Sequence, residues 1–118
     1  MAGHMIRNYF SSKPNYNIRS INESDIFYND EIIQDFHSLE KIKADYIINC
    51  IRCLIEDSEL NPLKAINYNS YFPHLLEKLY KNTKTQVIHL STDCVFSGEK
   101  GNYHENSLPD GNSYYART

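Results

Sequence analysis

The sequence predicts an α/β fold built around a doubly wound parallel sheet, in one domain over residues 1–118. Three observations carry this prediction. Two β-rich apolar runs, Asp45–Cys50 and Val87–Leu90, read as buried parallel strands. An amphipathic helical stretch separates them, as a βαβ unit requires. The second run then delivers Ser91-Thr92-Asp93, a cluster of polar side chains at the carboxyl end of a strand, where open α/β sheets bind ligands.

In chain order, His4–Ser11 reads as a helix that must break before Pro14. Tyr16–Ile21 alternates as a strand does. Asn29–Leu39 carries Ile32, Ile33, Phe36 and Leu39 in a helical stripe, with Asp30 and Glu31 as its acidic start. From Ser58 to Lys81 the spacing predicts one long helix. Pro62 suits its first turn, Ala65, Ile66, Phe72, Leu75, Leu76 and Leu79 form its apolar face, and Pro73 is expected to kink it. Glu56 and Asp57 read as a charged start before it. Ser97–Asn112 holds Gly98, Gly101, Pro109 and Gly111 and reads as loop. Ser113–Thr118 looks like the first turn of a further helix.

Composition narrows the class. With 118 residues, 41% hydrophobic and 23% charged, the chain has the make-up of a soluble domain with one core. A net charge of −3 gives it no attraction to nucleic acid or to an anionic membrane. No apolar run approaches the ~18 residues that span a bilayer, and there is no secretory signal. The three cysteines, Cys50, Cys53 and Cys94, form an odd set without a signal peptide. That pattern reads as reduced thiols in a cytoplasmic protein.

Several residues invite a chemical reading. A Thr92 hydroxyl at the strand end is placed to bond a substrate carbonyl, and a nearby tyrosine with a lowered pKa would protonate it as hydride arrives. A turn that merely caps the strand is the alternative at this point. Cys50-Ile51-Arg52-Cys53 has the spacing of a redox pair but lacks its usual neighbours, and zinc would need a second close ligand pair. His89, in a strand, reads as a satisfied core histidine, while His37, His74 and His104 read as surface residues.

The longer pattern is more specific. Val87-Ile88-His89-Leu90-Ser91-Thr92-Asp93-Cys94-Val95-Phe96-Ser97-Gly98, then Gly101-Asn102-Tyr103-His104-Glu105, then Tyr115-Ala116-Arg117-Thr118, resembles the extended short-chain dehydrogenase/reductases. Within them it resembles the dTDP-4-dehydrorhamnose reductase group of nucleotide-sugar reductases. Two upstream segments agree: Asp45–Cys50, and Ala65-Ile66-Asn67 with Phe72-Pro73-His74-Leu75-Leu76. The resemblance implies a Rossmann-type domain that binds NADPH or NADH and reduces a 4-keto-6-deoxysugar carried on a nucleotide, for surface polysaccharide synthesis. It implies Thr92 and Tyr115 as catalytic residues, Tyr114 being the competitor for the second role. Asp93, Cys94, Val95 and Phe96 would line the substrate side. Cys50, Ile51, Arg52, Asn67 and Ser91 would meet the cofactor, with Arg52 larger than the residue expected there. Asp25 and Ile26 match residues that meet the adenine, a solvated loop carboxylate being the alternative for Asp25. Asn22 follows the second predicted strand with no arginine pair for a 2′-phosphate, so NADH versus NADPH stays open.

Met1–Ile6 has two readings, a cloning scar or the end of the family's glycine-rich turn. On the second, Gly3, His4 and Met5 meet the cofactor and Gly3 is the fingerprint's third glycine. The sheet is then expected to lack its first strand, and the lysine of Tyr-x-x-x-Lys falls just after Thr118. A chain truncated in this way is expected to be inactive, to bind cofactor weakly and to form homodimers or exchange strands through its exposed sheet edges. A non-catalytic, dinucleotide-binding regulatory subunit of the same family is the alternative function.

Overall fold

The computed structural model describes residues 2–28, 31–32 and 37–118. It is a mixed helix and strand fold with a small parallel sheet. Helix α1 (Ala2–Ser11) opens the chain close to its predicted bounds. No residue of α1 is buried, and Met5 is 67% exposed. Beyond it, Phe10 packs edge-on against Tyr16 with ring centroids 4.9 Å apart.

The strand expected over Tyr16–Ile21 does not form. Its alternation is real, but no strand among the described residues pairs with it, and Tyr16, Ile18 and Ile21 all stay exposed. A ladder, not alternation, makes a strand. The helix expected over Asn29–Leu39 is also corrected. Strand β1 (Phe27–Tyr28) pairs antiparallel with β2 (Glu31–Ile32), so the backbone at Glu31 serves a ladder instead of a helix start. Helix α2 is only His37–Glu40. Asp30, Ile33 and Phe36 lie outside the described residues.

Strand β3 (Tyr46–Asn49) pairs in parallel with β4 (Gln86–His89), in the register Tyr46↔Gln86 to Asn49↔His89. These are the two strands that the apolar runs predict. Their burial is less complete than expected: Ile47 and Val87 pack on the core, while Ile88 is 44% exposed. In-register pairing puts Ile48 and Ile88 on the opposite face from Ile47 and Val87.

The connection between them is three helices and a wide turn rather than one long helix. Helix α3 (Ile55–Leu60) stops at Asn61, whose φ of −136° and ψ of 82° are not helical. A residue before proline is pushed out of the α region, and Asn61 uses that freedom as an N-cap, accepting from Lys64 N at 3.1 Å. Pro62 then opens α4 (Pro62–Ala65). Ile66–Tyr71 is π-helical, with Phe72 N bonded to Asn67 O five residues back. Pro73 has no N–H for the carbonyl four residues earlier, and the wide turn sits just before α5 (Phe72–Tyr80).

The core collects where these helices cover one sheet face. Phe72 and Leu76 are almost fully buried, and each contributes roughly 2–3 kcal/mol of apolar burial. Phe27 stacks on Tyr68 at 3.8 Å and meets Phe72 edge-on at 5.3 Å, which ties β1 to the helical layer. The Tyr80 hydroxyl donates to Leu39 O and pins α2 to α5. A shallow groove of about 640 Å³ opens beside it, lined by Lys43, Asp45, Thr83 and Thr85. It lies at the amino ends of β3 and β4, away from the end where Thr92 sits. Among the described residues no helix is long and apolar enough to cross a membrane.

Candidate functional site

The carboxyl ends of β3 and β4 carry the predicted chemistry. Leaving β4, Thr92 caps a 3-10 turn, Asp93–Val95. Its hydroxyl accepts from Cys94 N at 3.2 Å and lies 3.5 Å from Asp93 Oδ1. The bland and the chemical readings of this turn are therefore both physical. Thr92 Oγ1 serves as an acceptor for the cap, and among the described residues its proton is held only by the long contact to Asp93. Ser91 and Asp93 are exposed, and Cys94, Val95 and Phe96 are half-buried. The Phe96 ring stacks on Tyr103 at 4.5 Å.

Helix α6 (Tyr114–Arg117) brings Tyr115 to this turn. Ser113 is its N-cap and accepts from Ala116 N at 3.1 Å. Glu59 reaches from α3 and accepts from Tyr114 N at 2.7 Å, a charged partner for a helix N-terminus. Tyr115 is buried at 9% exposure, and its hydroxyl makes no hydrogen bond to the described residues. Tyr114 is half-exposed. The approach of α6 to the turn depends on Gly111, whose N–H donates to Val95 O at 2.9 Å. A Cβ there would fall 2.6 Å from Ala116 Cβ and 2.8 Å from Cys94 O.

At the end of β3, Gly3 of α1 lies against Cys50: a Cβ on Gly3 would meet Cys50 Cβ at 3.4 Å. Two residues predicted to meet the cofactor are thus neighbours. Burial pushes the Cys50 thiol pKa up, with the positive charge of Arg52 pulling the other way. Ile51 N donates to Asn49 Oδ1 at 3.0 Å, while the Arg52 side chain is exposed. His4 and Met5 are exposed, His4 pairing with Asn8 at 3.0 Å.

Asp25 and Ile26 stand differently. Asp25 Oδ2 accepts from Asn22 N at 2.9 Å and so caps the 3-10 turn Glu23–Asp25, and Ile26 is buried in the core at 6% exposure. Asn67 is half-buried on the π turn, but the bridging amide belongs to Asn69. Asn69 Oδ1 accepts from Cys53 N at 2.8 Å, and its Nδ2 lies 3.1 Å from Cys53 O and 3.2 Å from Thr118 Oγ1. One side chain therefore joins the loop after β3 to α6. Asn69, Glu59 and Gly111 are the residues that sequence reasoning missed. Only Gly111 left a signal, a glycine in a loop. Cys53 is 1% exposed, and among the described residues no cluster of ligands suits a metal ion.

His89 is more exposed than a core histidine, yet it has a partner. Asn49 is buried, and its Oδ1 is taken by Ile51 N, which turns Nδ2 toward His89 Nδ1 at 3.1 Å. An amide N–H needs an acceptor, so His89 must be neutral here. Burial, then the charge of His74, holds its pKa below the ordinary 6.5. With the folded value depressed, the unfolded chain binds the extra proton first. Stability is therefore retained above about pH 6.5 and lost as pH falls below it. Urea midpoints are expected to drop between about pH 7.5 and about pH 5.5, and His89→Gln, whose carbonyl accepts at any pH, is expected to flatten that drop. Asp110, whose pKa the Ser97 N–H holds below its ordinary 3.8, contributes only at more acid pH.

Comparison with known proteins gives a family. A family model described as the RmlD substrate binding domain matches residues 6–118. A protein of Haloferax volcanii described as "Probable low-salt glycan biosynthesis reductase Agl14" is 29% identical over 119 residues, covering 98% of this chain and 38% of the relative. The chain thus spans under two-fifths of that relative's length. No solved structure matches.

Proposed function

The chain belongs to the RmlD substrate binding domain family, and from that membership we propose that it forms part of a reductase that transfers hydride from NADPH or NADH to a keto sugar carried on a nucleotide. The observation that carries this reading is the packing of the Thr92 turn against α6. It brings a hydroxyl at the end of a parallel strand and a tyrosine hydroxyl that makes no hydrogen bond to the described residues onto touching elements. The similarity to a glycan biosynthesis reductase supports the same class of chemistry. The product would serve the assembly of surface polysaccharide.

The residues at the strand ends fit a dinucleotide in part. The amino end of α1 meets the carboxyl end of β3 at Gly3 and Cys50, the close approach that a pyrophosphate cradle needs. Gly3, His4, Met5, Cys50, Ile51, Arg52 and Ser91 would hold it there, within a partial Rossmann sheet. Asp25 and Ile26 fit less well, since the carboxylate is capping a turn and the isoleucine is in the core. The nicotinamide, when bound, supplies the hydride. Thr92 orients the sugar carbonyl by swinging its proton from Asp93 to the carbonyl oxygen, while its lone pair stays on Cys94 N. Tyr115 then gives its proton to the oxygen as negative charge develops on it. Asp93, Cys94, Val95 and Phe96 wall the sugar.

The test is to map NADPH and NADH onto the chain by amide chemical shifts. Shifts are expected at Gly3–Met5, Cys50–Arg52 and Ser91–Thr92. Shifts confined to the groove around Lys43 and Thr83, or none at all, would overturn the reading. Mapping as expected, with no reductase activity in any longer protein that contains this chain, would favour the regulatory alternative.

A further inference from the structure

The loop between the Thr92 turn and α6 is latched at its base by one carboxylate. Asp110 Oδ1 accepts from Ser97 N at 2.7 Å, and Asp110 Oδ2 accepts from the Tyr103 hydroxyl at 3.3 Å and meets Lys100 Nζ at 3.2 Å. The Tyr103 oxygen also lies 3.1 Å from Ser97 Oγ and accepts from Lys100 N at 3.2 Å. Adjacent to Asp110, Gly111 N donates to Val95 O at 2.9 Å. The loop reverses within itself at Gly98, Gly101 and Asn102, with φ of 85°, 64° and 49°. It is a closed loop of the Ω type, its ends joined by polar contacts rather than by a ladder.

Phe96 lies between the two pinned positions, Val95 and Ser97. Its backbone is extended (φ −103°, ψ 142°), and its ring is stacked on Tyr103 with an interplanar angle of 16°. Backbone bonds on either side and a ring contact on one face restrict where the side chain can lie. We propose that Asp110 is a positioning residue: by latching the loop it fixes Phe96 and the turn Asp93–Val95 as a rigid wall on the substrate side of the site. The word substrate rests on the reductase reading; the latch does not. Lys100 is largely exposed, so its ion pair adds little. The weight falls on the charge-assisted bond to Ser97 N and on the Tyr103 hydroxyl. The Ser97 N–H, first among its partners, holds the Asp110 carboxyl pKa below its ordinary value, so the latch persists to more acid pH than a free carboxylate would allow.

Cys94, half-buried in that turn, is the reporter. Iodoacetamide labelling of the whole chain is followed cysteine by cysteine by peptide mass. In Asp110→Ala the Cys94 rate is expected to rise about fivefold, the size of one net hydrogen bond, with buried Cys53 unchanged. Asp110→Asn keeps an acceptor for Ser97 N without the charge and is expected to restore the wild-type rate in part. The upfield ring shifts of the Phe96 stack are expected to collapse in the Ala variant and to return in part in the Asn variant. An unchanged Cys94 rate, or a rise at Cys53 in step with Cys94, overturns the proposal. Should Asp110→Ala fail to fold, Tyr103→Phe keeps the stack and removes only the hydroxyl; a Cys94 rate equal to wild type there overturns it as well. No cofactor or substrate enters these measurements, so their failure leaves the reductase reading standing. Failure of the NAD(P)H mapping equally leaves the latch.

Discussion

Gly111→Ala is expected to destabilise the chain by about 3 kcal/mol, the upper range for forcing atoms into a filled space. The added methyl would fall 2.6 Å from Ala116 Cβ and 2.8 Å from the Cys94 carbonyl oxygen, with Val95 O at 3.1 Å. Two of these three atoms are backbone, so no side-chain rotation relieves the clash. Either α6 moves off the turn or the Gly111–Val95 hydrogen bond breaks. For a domain of this size the loss is a drop of roughly 12–20 °C in Tm, measured by thermal denaturation. Pairing it with Ala116→Gly removes the 2.6 Å contact and leaves the carbonyl contacts. The double variant is therefore expected to recover part of the loss and not all of it. Full recovery would mean that the carbonyls yield easily and that the turn and the helix are not held rigidly together.

Asn69→Leu is expected to cost about 2–3 kcal/mol, chiefly by orphaning one buried donor. The leucine fills the space, so volume is not the issue. The Cys53 N–H, bonded at 2.8 Å, would lose its acceptor, whereas the Cys53 carbonyl keeps the Ser58 hydroxyl at 3.3 Å. Thr118 would lose its tie to the π turn while keeping the carbonyl of Tyr114 at 2.9 Å. Thr118→Ala, which cuts the Asn69 contact and the exposed hydroxyl's bond to Tyr114 O but leaves the Cys53 bonds intact, is expected to cost under about 1 kcal/mol. Chemical denaturation separates the two. Equal losses in both variants would put the weight on the α6 contact and make the Cys53 bonds incidental. Because Asn69 spans from the loop after β3 to the helix of Tyr115, the leucine variant is also expected to loosen both sides of the site together.

What the sequence made legible follows the physics of each signal. Strands β3 and β4 were readable because dense β-branched runs have few other uses, and the Ser-Thr-Asp turn marked the carboxyl end of the second as the candidate site. Helix α6 lies within the turn expected over Ser113–Thr118, and Ser113 caps it. Tyr16–Ile21 misled because alternation describes a face, and a face without a pairing partner stays irregular. The single helix over Ser58–Lys81 misled because an apolar stripe was weighed above Asn61-Pro62, a local instruction to leave the α region. Asn69 was missed because it acts from a π turn, and no residue pattern announces that turn. Glu59 and Gly111 act through partners dozens of residues away or through a contact that only the folded chain defines, so no spacing rule reaches them.

The π turn over Ile66–Tyr71 has a consequence for how this segment can vary in length. A π turn holds one residue more than an α turn over the same rise. Deleting one residue there would let the helix close into ordinary α geometry while α4 and α5 keep their facing, whereas a deletion within the regular turns of α5 would rotate everything upstream by about 100°. Ala65 and Phe72, on either side of the wide turn, would then keep their places in the core, and the change would fall on the turn itself, where Asn69 holds Cys53. Ile66–Tyr71 should therefore tolerate the loss of one residue in its packing far better than α5 does, at the expense of the Asn69 bridge.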